Sequence, residues 1–134
     1  MISSAAMCLA IAVFMESRGE PELGQRYVAH VVKNWADDRG VSPCDVILNK
    51  LFSKHFEFSV GRSSVKELKI EVKQKIANAS EETEAWRRAI EIGRRVNKRK
   101  RDITNGAKFF NEKSLGVRYK TPIKARWIGN HVFY

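Results

Sequence analysis

A single carboxylate, Glu16, ends the most hydrophobic segment of the chain, which runs from Ala5 to Met15. Partial burial of a carboxyl group disfavours its charged form, and the negative end of a helix dipole acts in the same direction. Both effects predict a raised pKa for Glu16, so that it could donate a proton to a leaving oxygen, as cleavage of a glycosidic bond requires. The alternative from composition alone is a surface glutamate that turns into water or pairs with Arg18 or Arg26.

A second carboxylate, Glu20, follows Glu16 at a spacing that would make the two neighbours on a continuous helix, about 5–6 Å apart. Gly19 and Pro21 predict that the helix breaks between them. Glu20 is therefore either a second acid in a cleft or a cap for the helix that begins at Pro21. Its spacing favours the cap.

The elements that must position these acids are mostly helices. Capping residues and apolar spacing predict helices over about 4–16, 22–35 and 64–77, a short one from Pro43, and one that begins after Ser80 and ends in the basic run 97–101. His55 to Val60 alternates weakly and predicts a short strand or an extended loop, and short aromatic runs with turn residues follow Asp102. The expected fold class is α+β, mostly α, in one domain over residues 1–134 with a small irregular β region.

The composition predicts a globular protein with an anionic partner. The chain has 134 residues, of which 25 are Lys or Arg and 15 are Asp or Glu, giving a formal charge of +10. Nucleic acid, a membrane surface and an anionic cell-envelope polymer all fit such a charge. The basic residues between Arg94 and Arg101 support a nucleic-acid-binding domain as the non-enzyme alternative, but no nucleic-acid motif surrounds them. No apolar window reaches the roughly 18 residues of a membrane span.

Two further features could be mistaken for processing or metal-binding signals. The Ala5 to Met15 run imitates the core of a secretory signal, but Met1 to Met7 has no Lys or Arg and no cleavage site follows, so we expect no cleaved signal. Cys8 and Cys44 fit no zinc pattern and predict buried free thiols in a reducing compartment, with one bridge as the open alternative. No metal or cofactor is expected.

Four blocks of sequence, in order, resemble one family. They are CLAIAVFMESRGEPELGQRYVAHVVKN (Cys8 to Asn34), FEFSV (Phe56 to Val60), DITNGAKFFN (Asp102 to Asn111) and IGNHVFY (Ile128 to Tyr134). The first resembles an apolar helix that ends in E-A-R-G-E-P, followed by x-x-G-Q and V-A-x-V-V-x-N, and the last is similar to an I-G-N-H-x-F-Y close. This set is typical of the SleB-like cell wall hydrolases, the family of the spore-cortex-lytic enzymes.

The resemblance implies a lysozyme-like domain that cleaves peptidoglycan between N-acetylmuramic acid and N-acetylglucosamine. Many members of the family resemble lytic transglycosylases, in which one acid protonates the glycosidic oxygen and then acts as the base that closes a 1,6-anhydro ring. The Glu16-Ser17 pair is similar to the transglycosylase motif. The resemblance therefore implies that Glu16 is the catalytic acid.

Two departures from the family pattern bear on the mechanism. Glu57 stands where the resemblance implies Gln, and Val60 stands where it implies Trp. A carboxylate at Glu57 could activate water opposite Glu16, which would make the enzyme a hydrolytic lysozyme; the alternative is a surface charge. Ser59 is expected to orient the substrate or the catalytic carboxyl group, and no nucleophile motif surrounds it.

Three later residues complete the predicted site. Asn111 is a candidate contact to the glycan, Tyr119 could stack on a sugar ring or belong to the core, and His131 is expected to be a hydrogen-bonded residue near the site.

The predicted partners are peptidoglycan glycan strands and an anionic cell-envelope surface, with no nucleic acid and no membrane insertion. A monomer is expected. A catalytic domain that starts at its catalytic helix resembles a phage endolysin, so the expected location is the host bacterial cytoplasm before release to the wall.

Overall fold

Helices dominate the protein, and a small sheet follows them along the chain. The computed structural model describes residues 2–48 and 64–134. Its helices are α1 (Ser4–Ser17), α2 (Glu22–Arg39), α3 (Pro43–Leu48), α4 (Val65–Asn78) and α5 (Glu81–Lys98). Its strands are β1 (Phe110–Glu112), β2 (Arg126–Ile128) and β3 (His131–Phe133), with a 3-10 turn at Lys113–Leu115. The sheet is antiparallel in the order β1-β3-β2. The expected α+β class with mostly helical content is confirmed.

Helix α1 is the centre of the fold and contacts every other helix named above. Its residues from Cys8 to Phe14 are fully buried, which requires neighbours on all sides. Ser3 begins the helix, because its hydroxyl accepts a hydrogen bond from the N–H of Ala6 at 3.2 Å. Each fully buried Leu, Ile, Val or Phe side chain contributes about 1.5–3 kcal/mol to stability, so this segment is a large share of the core.

Helices α1 and α5 are in close contact at Gly93. A Cβ atom at that position would lie 2.5 Å from the carbonyl oxygen of Ala6 and 2.9 Å from the backbone nitrogen of Ala10. The absence of a side chain at Gly93 therefore sets how near α5 packs to the helix that carries Glu16.

The two cysteines form a disulfide, which corrects the prediction of free thiols. Cys8 in α1 and Cys44 in α3 are bonded, with a Cα–Cα separation of 5.1 Å. The prediction was wrong because pairing depends on how α3 packs back onto α1, and two isolated cysteines in a sequence carry no information on that contact. The bond fixes the buried half of α1 to the short helix.

Helix α2 extends beyond its predicted end near Trp35. It continues to Arg39, and Gly40 closes it in a left-handed conformation with φ 65°. The prediction ended this helix near Trp35 because the apolar spacing stops there, whereas the glycine marks the true end. None of the helices in the described ranges is long and apolar enough to cross a membrane. The predicted strand at 55–60 lies outside the described residues.

Candidate active site

The last turn of α1 places the side chain of Glu16, which is half-buried. Two neighbouring side chains donate hydrogen bonds to carbonyl groups near the end of the helix. The hydroxyl of Ser17 donates to the carbonyl oxygen of Val13 at 2.8 Å, and the guanidinium of Arg18 donates to that of Phe14 at 3.1 Å. These contacts fix the end of the helix, and with it the backbone of Glu16.

Arg18 also connects this helix end to α5. Its Nε lies 3.0 Å from an oxygen of Glu82 in the first turn of α5, and its guanidinium carbon lies 5.0 Å from the ring centre of Phe14. The pair is only partly exposed, so water screens it less than a surface pair. Arg18 therefore holds the C-terminal end of α1 against the N-terminal end of α5.

Glu20 joins the α1–α2 turn to the turn of the β2–β3 hairpin. Its two carboxylate oxygens accept hydrogen bonds from the backbone N–H and the side-chain amide of Asn130, at 2.7 and 3.0 Å. Its carbonyl oxygen accepts from the buried amide of Gln25 at 2.8 Å. The N-cap of α2 is Pro21, without a side-chain cap. The expectation that Glu20 caps this helix is therefore wrong, because the hairpin supplies better-placed donors.

The hairpin turn can approach Glu20 because position 129 is a glycine. Gly129 has φ +57°, and a Cβ atom there would lie 2.7 Å from Cδ of Pro21 and 2.8 Å from a carboxylate oxygen of Glu20. A residue other than glycine at position 129 would strain this left-handed backbone and would collide with Pro21 and Glu20 unless the turn shifted.

His131 lies behind Glu20 on β3. Its side chain is 11% exposed, and its Nδ1 lies 3.5 Å from a carboxylate oxygen of Glu20 without forming a hydrogen bond. Burial lowers the pKa of His131, and the charges of Glu20 and Glu112 oppose this only in part. The imidazole is therefore held in its neutral form at neutral pH.

A pocket of about 250 Å³ opens at these residues. Its lining contains the carboxylates of Glu16, Glu20 and Glu112, together with Met15, Ser17, Arg18, Gly19, Asn130 and His131. We call it the acidic pocket. Both carboxylate oxygens of Glu20 accept hydrogen bonds from Asn130, whereas Glu112 is an exposed residue of β1. Besides Glu20, the pocket therefore contains the half-buried Glu16 and the exposed Glu112.

Sequence reasoning missed Glu112. It lies next to Asn111, but the residue becomes part of the site only because β1 pairs with β3, which sets Glu112 opposite His131. The signal that could have found it is the pairing of the 102–111 block with the terminal block, which would put the residue after Asn111 beside the histidine.

A second depression continues the acidic pocket towards α5. It has a volume of about 610 Å³, shares Arg18 and Gly19 with the acidic pocket, and is otherwise lined by Glu81, Glu82, Glu84, Ala85 and Arg88. The two depressions therefore adjoin at Arg18 and Gly19, next to the end of α1, and together offer a larger surface to a ligand.

Asn111 uses its amide within the fold. The NH2 group donates to the carbonyl oxygens of Glu112 and Gly116 at 3.0 and 2.8 Å, and its oxygen accepts from the hydroxyl of Tyr134 at 2.6 Å. Both donors are occupied by protein. Asn111 therefore supports the loop after β1, and its predicted contact to glycan stays a prediction.

Tyr119 packs among other aromatic residues. Its ring stacks on Phe109 with centroids 4.7 Å apart, and Phe109 also contacts Trp35 and Tyr134. Tyr119 is half-buried in this aromatic cluster and is absent from the lining of the acidic pocket, and its predicted stacking on a sugar ring stays a prediction. Glu57 and Ser59 lie outside the described residues.

The described residues contain no group of three or more His, Cys, Asp or Glu side chains arranged to hold a metal ion. The fold and the acidic pocket together define a small, mostly helical protein with a half-buried acid at the end of its central helix and two adjoining depressions beside it. That arrangement is suited to acid–base cleavage of a polymer.

Comparison with known proteins gives the family. A family model described as Cell Wall Hydrolase matches residues 19–134, and the chain belongs to this family. It is thus an enzyme that acts on peptidoglycan. No match was found among curated proteins or among solved structures. The matched range begins after Glu16, so the role of that residue depends on the motif and on the pocket geometry.

Proposed function

We propose that the protein cleaves the bond between N-acetylmuramic acid and N-acetylglucosamine as a lytic transglycosylase, with Glu16 as general acid and then general base. The observation that carries the proposal is the position of Glu16, half-buried at the end of a helix that is buried on every side, in a pocket open to solvent. A carboxyl group in such a place is suited to hold a proton until a sugar linkage displaces water.

In the proposed reaction, Glu16 gives its proton to the glycosidic oxygen as the bond from that oxygen to C1 of the muramic acid breaks. The resulting carboxylate then removes the proton of the 6-hydroxyl group of the same muramic acid. The 6-oxygen bonds to C1 and closes the 1,6-anhydro ring. No water is consumed, and Glu16 ends the cycle protonated.

Glu112 favours hydrolysis as the second candidate. A lysozyme-type reaction needs a second carboxylate that attacks C1 or activates water. Glu112 is exposed and lines the same pocket as Glu16, and Glu20 is less suitable because both of its oxygens bind Asn130. In this reaction water takes the place of the 6-hydroxyl group as the acceptor of the muramoyl unit, and Glu112 is the carboxylate that assists it.

Product analysis with two variants tests both candidates. Glu16→Gln should slow the clearing of purified sacculi by roughly 10²–10⁴-fold, the usual contribution of a positioned acid. Mass spectrometry of the released muropeptides should find anhydro ends, and Glu112→Gln should leave the rate within about twofold. Glu91→Gln is the matched control, because Glu91 is an exposed carboxylate on α5.

Several outcomes would contradict the proposal. Reducing muramic acid ends together with a large loss of rate in Glu112→Gln would assign hydrolysis instead. Equal clearing by wild type and Glu16→Gln would remove Glu16 from the reaction. If wild type does not clear sacculi at all and binds duplex DNA with a steep salt dependence, the nucleic-acid alternative replaces both.

A further inference from the structure

A second cavity, of about 460 Å³, lies at the open end of the β2–β3 hairpin, whereas the acidic pocket lies at its turn. The two cavities have no lining residue in common. We call the second cavity the Arg126 pocket; its walls include Tyr27, Ile103, Ile123 and Phe133. Its volume lies within the roughly 300–1,000 Å³ of small-molecule sites, which combine apolar walls with a few polar groups.

The charge of the Arg126 pocket has a single sign. Lys124 and Arg126 are the charged residues among those that line it, and both are exposed to solvent. Within the described ranges, neither forms an ion pair with an acidic side chain. Two cations in the lining of one cavity, without a counter-charge from the described protein, attract an anion into it.

Arg126 is held in place by a buried tyrosine. Its guanidinium donates to the hydroxyl of Tyr27 at 2.7 Å and lies 5.3 Å from the centre of that ring. The hydroxyl of Tyr27 donates in turn to the carbonyl oxygen of Ile103 at 3.3 Å. A guanidinium has five N–H donors, and Tyr27 supplies the one acceptor that the described residues offer to it. A positioned arginine with spare donors is suited to bind a carboxylate or a phosphate through two parallel hydrogen bonds.

The loop that forms one wall of the pocket is held in shape by Asp102. Its carboxylate accepts hydrogen bonds from the N–H and hydroxyl of Thr104 at 2.8 and 2.7 Å and from the N–H of Gly106 at 2.6 Å. The side-chain amide of Asn34 donates to the same carboxylate at 3.0 Å. Asn105, inside this loop, has a left-handed backbone with φ 58°. These contacts fix the wall before a ligand arrives, which lowers the entropic cost of binding.

We propose that the Arg126 pocket is an anion-binding site, which holds a phosphate or carboxylate group carried on a small polar body. Arg126 binds two oxygens of that group, and Lys124 adds a second positive charge. Both kinds of group occur in anionic cell-envelope polymers, the class of partner that the charge of +10 predicts. The site stands apart from Glu16, so the inference does not depend on the bond that the enzyme cleaves.

Titration with three compounds that share a three-carbon body tests the site. They are glycerol 3-phosphate, glycerate and uncharged glycerol, each added to the full chain in about 0.15 M salt, which screens non-specific attraction to the net charge. Calorimetry and the NMR shift of the Arg126 Nε–H should detect saturable binding of one anion or both, with a Kd of roughly 1 mM, and none of glycerol. Arg126→Gln should weaken binding by about tenfold or more, the effect of one charge-assisted interaction. Arg126→Lys should weaken it less.

Lys124→Gln is a second variant, which removes an exposed charge from the same lining and should weaken binding by about two- to fivefold. Arg94→Gln is the matched control, because it removes one charge from an exposed position on α5. It should leave the Kd unchanged. Thermal unfolding of each variant without ligand separates a loss of the site from a loss of fold.

The two anions distinguish the source of the ligand. Binding of glycerol 3-phosphate alone would assign the site to a phosphate-bearing polymer, and binding of glycerate alone would assign it to a carboxylate. No saturable binding of either anion by wild type would overturn the inference, as would equal binding by wild type and Arg126→Gln. An equal weakening in Arg94→Gln would also overturn it, because the net charge rather than the pocket would then attract the anion. Cleavage at Glu16 is tested separately by the clearing of sacculi, so failure of one proposal leaves the other standing.

Discussion

At the scale of single residues, the three carboxylates of the acidic pocket differ in their contacts and burial. Glu20 has both oxygens bound by Asn130 and is 10% exposed, so it fixes the hairpin to the turn after α1. Glu16 and Glu112 lie in the same pocket, one half-buried and one exposed. Glu20 therefore acts as an anchor of the fold, because both of its oxygens bind the hairpin turn.

The variant Glu20→Gln tests the anchoring role. The amide keeps one acceptor but sets an NH2 group against a donor of Asn130, so we expect the free energy of unfolding to fall by about 1–3 kcal/mol. The charge of Glu20 raises the pKa of His131, and its removal should lower that pKa further. Denaturant unfolding measures the first effect, and NMR titration of the His131 ring measures the second.

His30 serves as the internal reference for this titration, because the charges that act on it are those of Asp102, Lys33, Arg99 and Arg26 rather than Glu20. An unchanged pKa for His131 would contradict the contact between the two residues. An unchanged stability would show that Asn130 is held to the turn by other means.

At the scale of elements, the position of Glu16 depends on three contacts that hold α1. α5 packs on it at Gly93, the disulfide connects it to α3, and Arg18 links its end to the first turn of α5. A helix restrained along its whole length moves as a unit. A small shift at one end of α1 would therefore displace the acid at the other end.

The variant Gly93→Ala tests this restraint, because close packing and helix propensity predict opposite changes in the free energy of unfolding. Alanine favours a helix by about 1 kcal/mol over glycine, so an exposed site would gain stability. Here the added Cβ would meet the backbone of Ala6 and Ala10, and we expect a net loss of about 1–3 kcal/mol from overpacking. The clearing rate should fall as well, because Glu16 moves with α1. Thermal and denaturant unfolding, with the turbidity assay, measure both.

Gly19→Ala is the control for stability, since no atom lies within 4 Å of a Cβ atom built at that position. Its unfolding free energy should stay within about 0.5 kcal/mol of wild type. A Gly93→Ala protein as stable as wild type would mean that α5 can move away from α1 without cost.

Local signals determined which elements could be predicted. The apolar run and the Ser3 cap specify α1 from neighbouring residues alone, and the structure has that helix at Ser4–Ser17. The Glu20–Asn130 contact joins residues 110 positions apart, and the pairing of Glu112 with His131 and the Cys8–Cys44 bond are also long-range. Such contacts arise from packing, which leaves no local pattern in the chain. The acid at the end of α1 was therefore predictable, and its surroundings were not.

At the scale of the whole molecule, the charge of +10 acts over a longer range than any of these contacts. Six of the basic residues, Arg94, Arg95, Lys98, Arg99, Lys100 and Arg101, lie at the end of α5 and just beyond it, and all are exposed. A field of one sign raises the local concentration of an anionic polymer and speeds encounter with it. It does so without selecting a bond to cleave, so the contacts in the acidic pocket must make that selection.

The dependence of clearing on salt tests this long-range role. Screening shortens the reach of exposed charges from about 10 Å at 0.1 M salt to about 3 Å at 1 M. We therefore expect the rate on intact sacculi to fall by about tenfold or more across that range, mainly through slower binding. A combined Lys98→Gln, Lys100→Gln, Arg101→Gln variant should flatten this dependence. The rate on short, uncharged glycan fragments should change little, because chemistry at Glu16 does not need the distant field.

A clearing rate that is independent of salt would mean that the contacts within the acidic pocket, rather than the net charge, bring the enzyme to the wall.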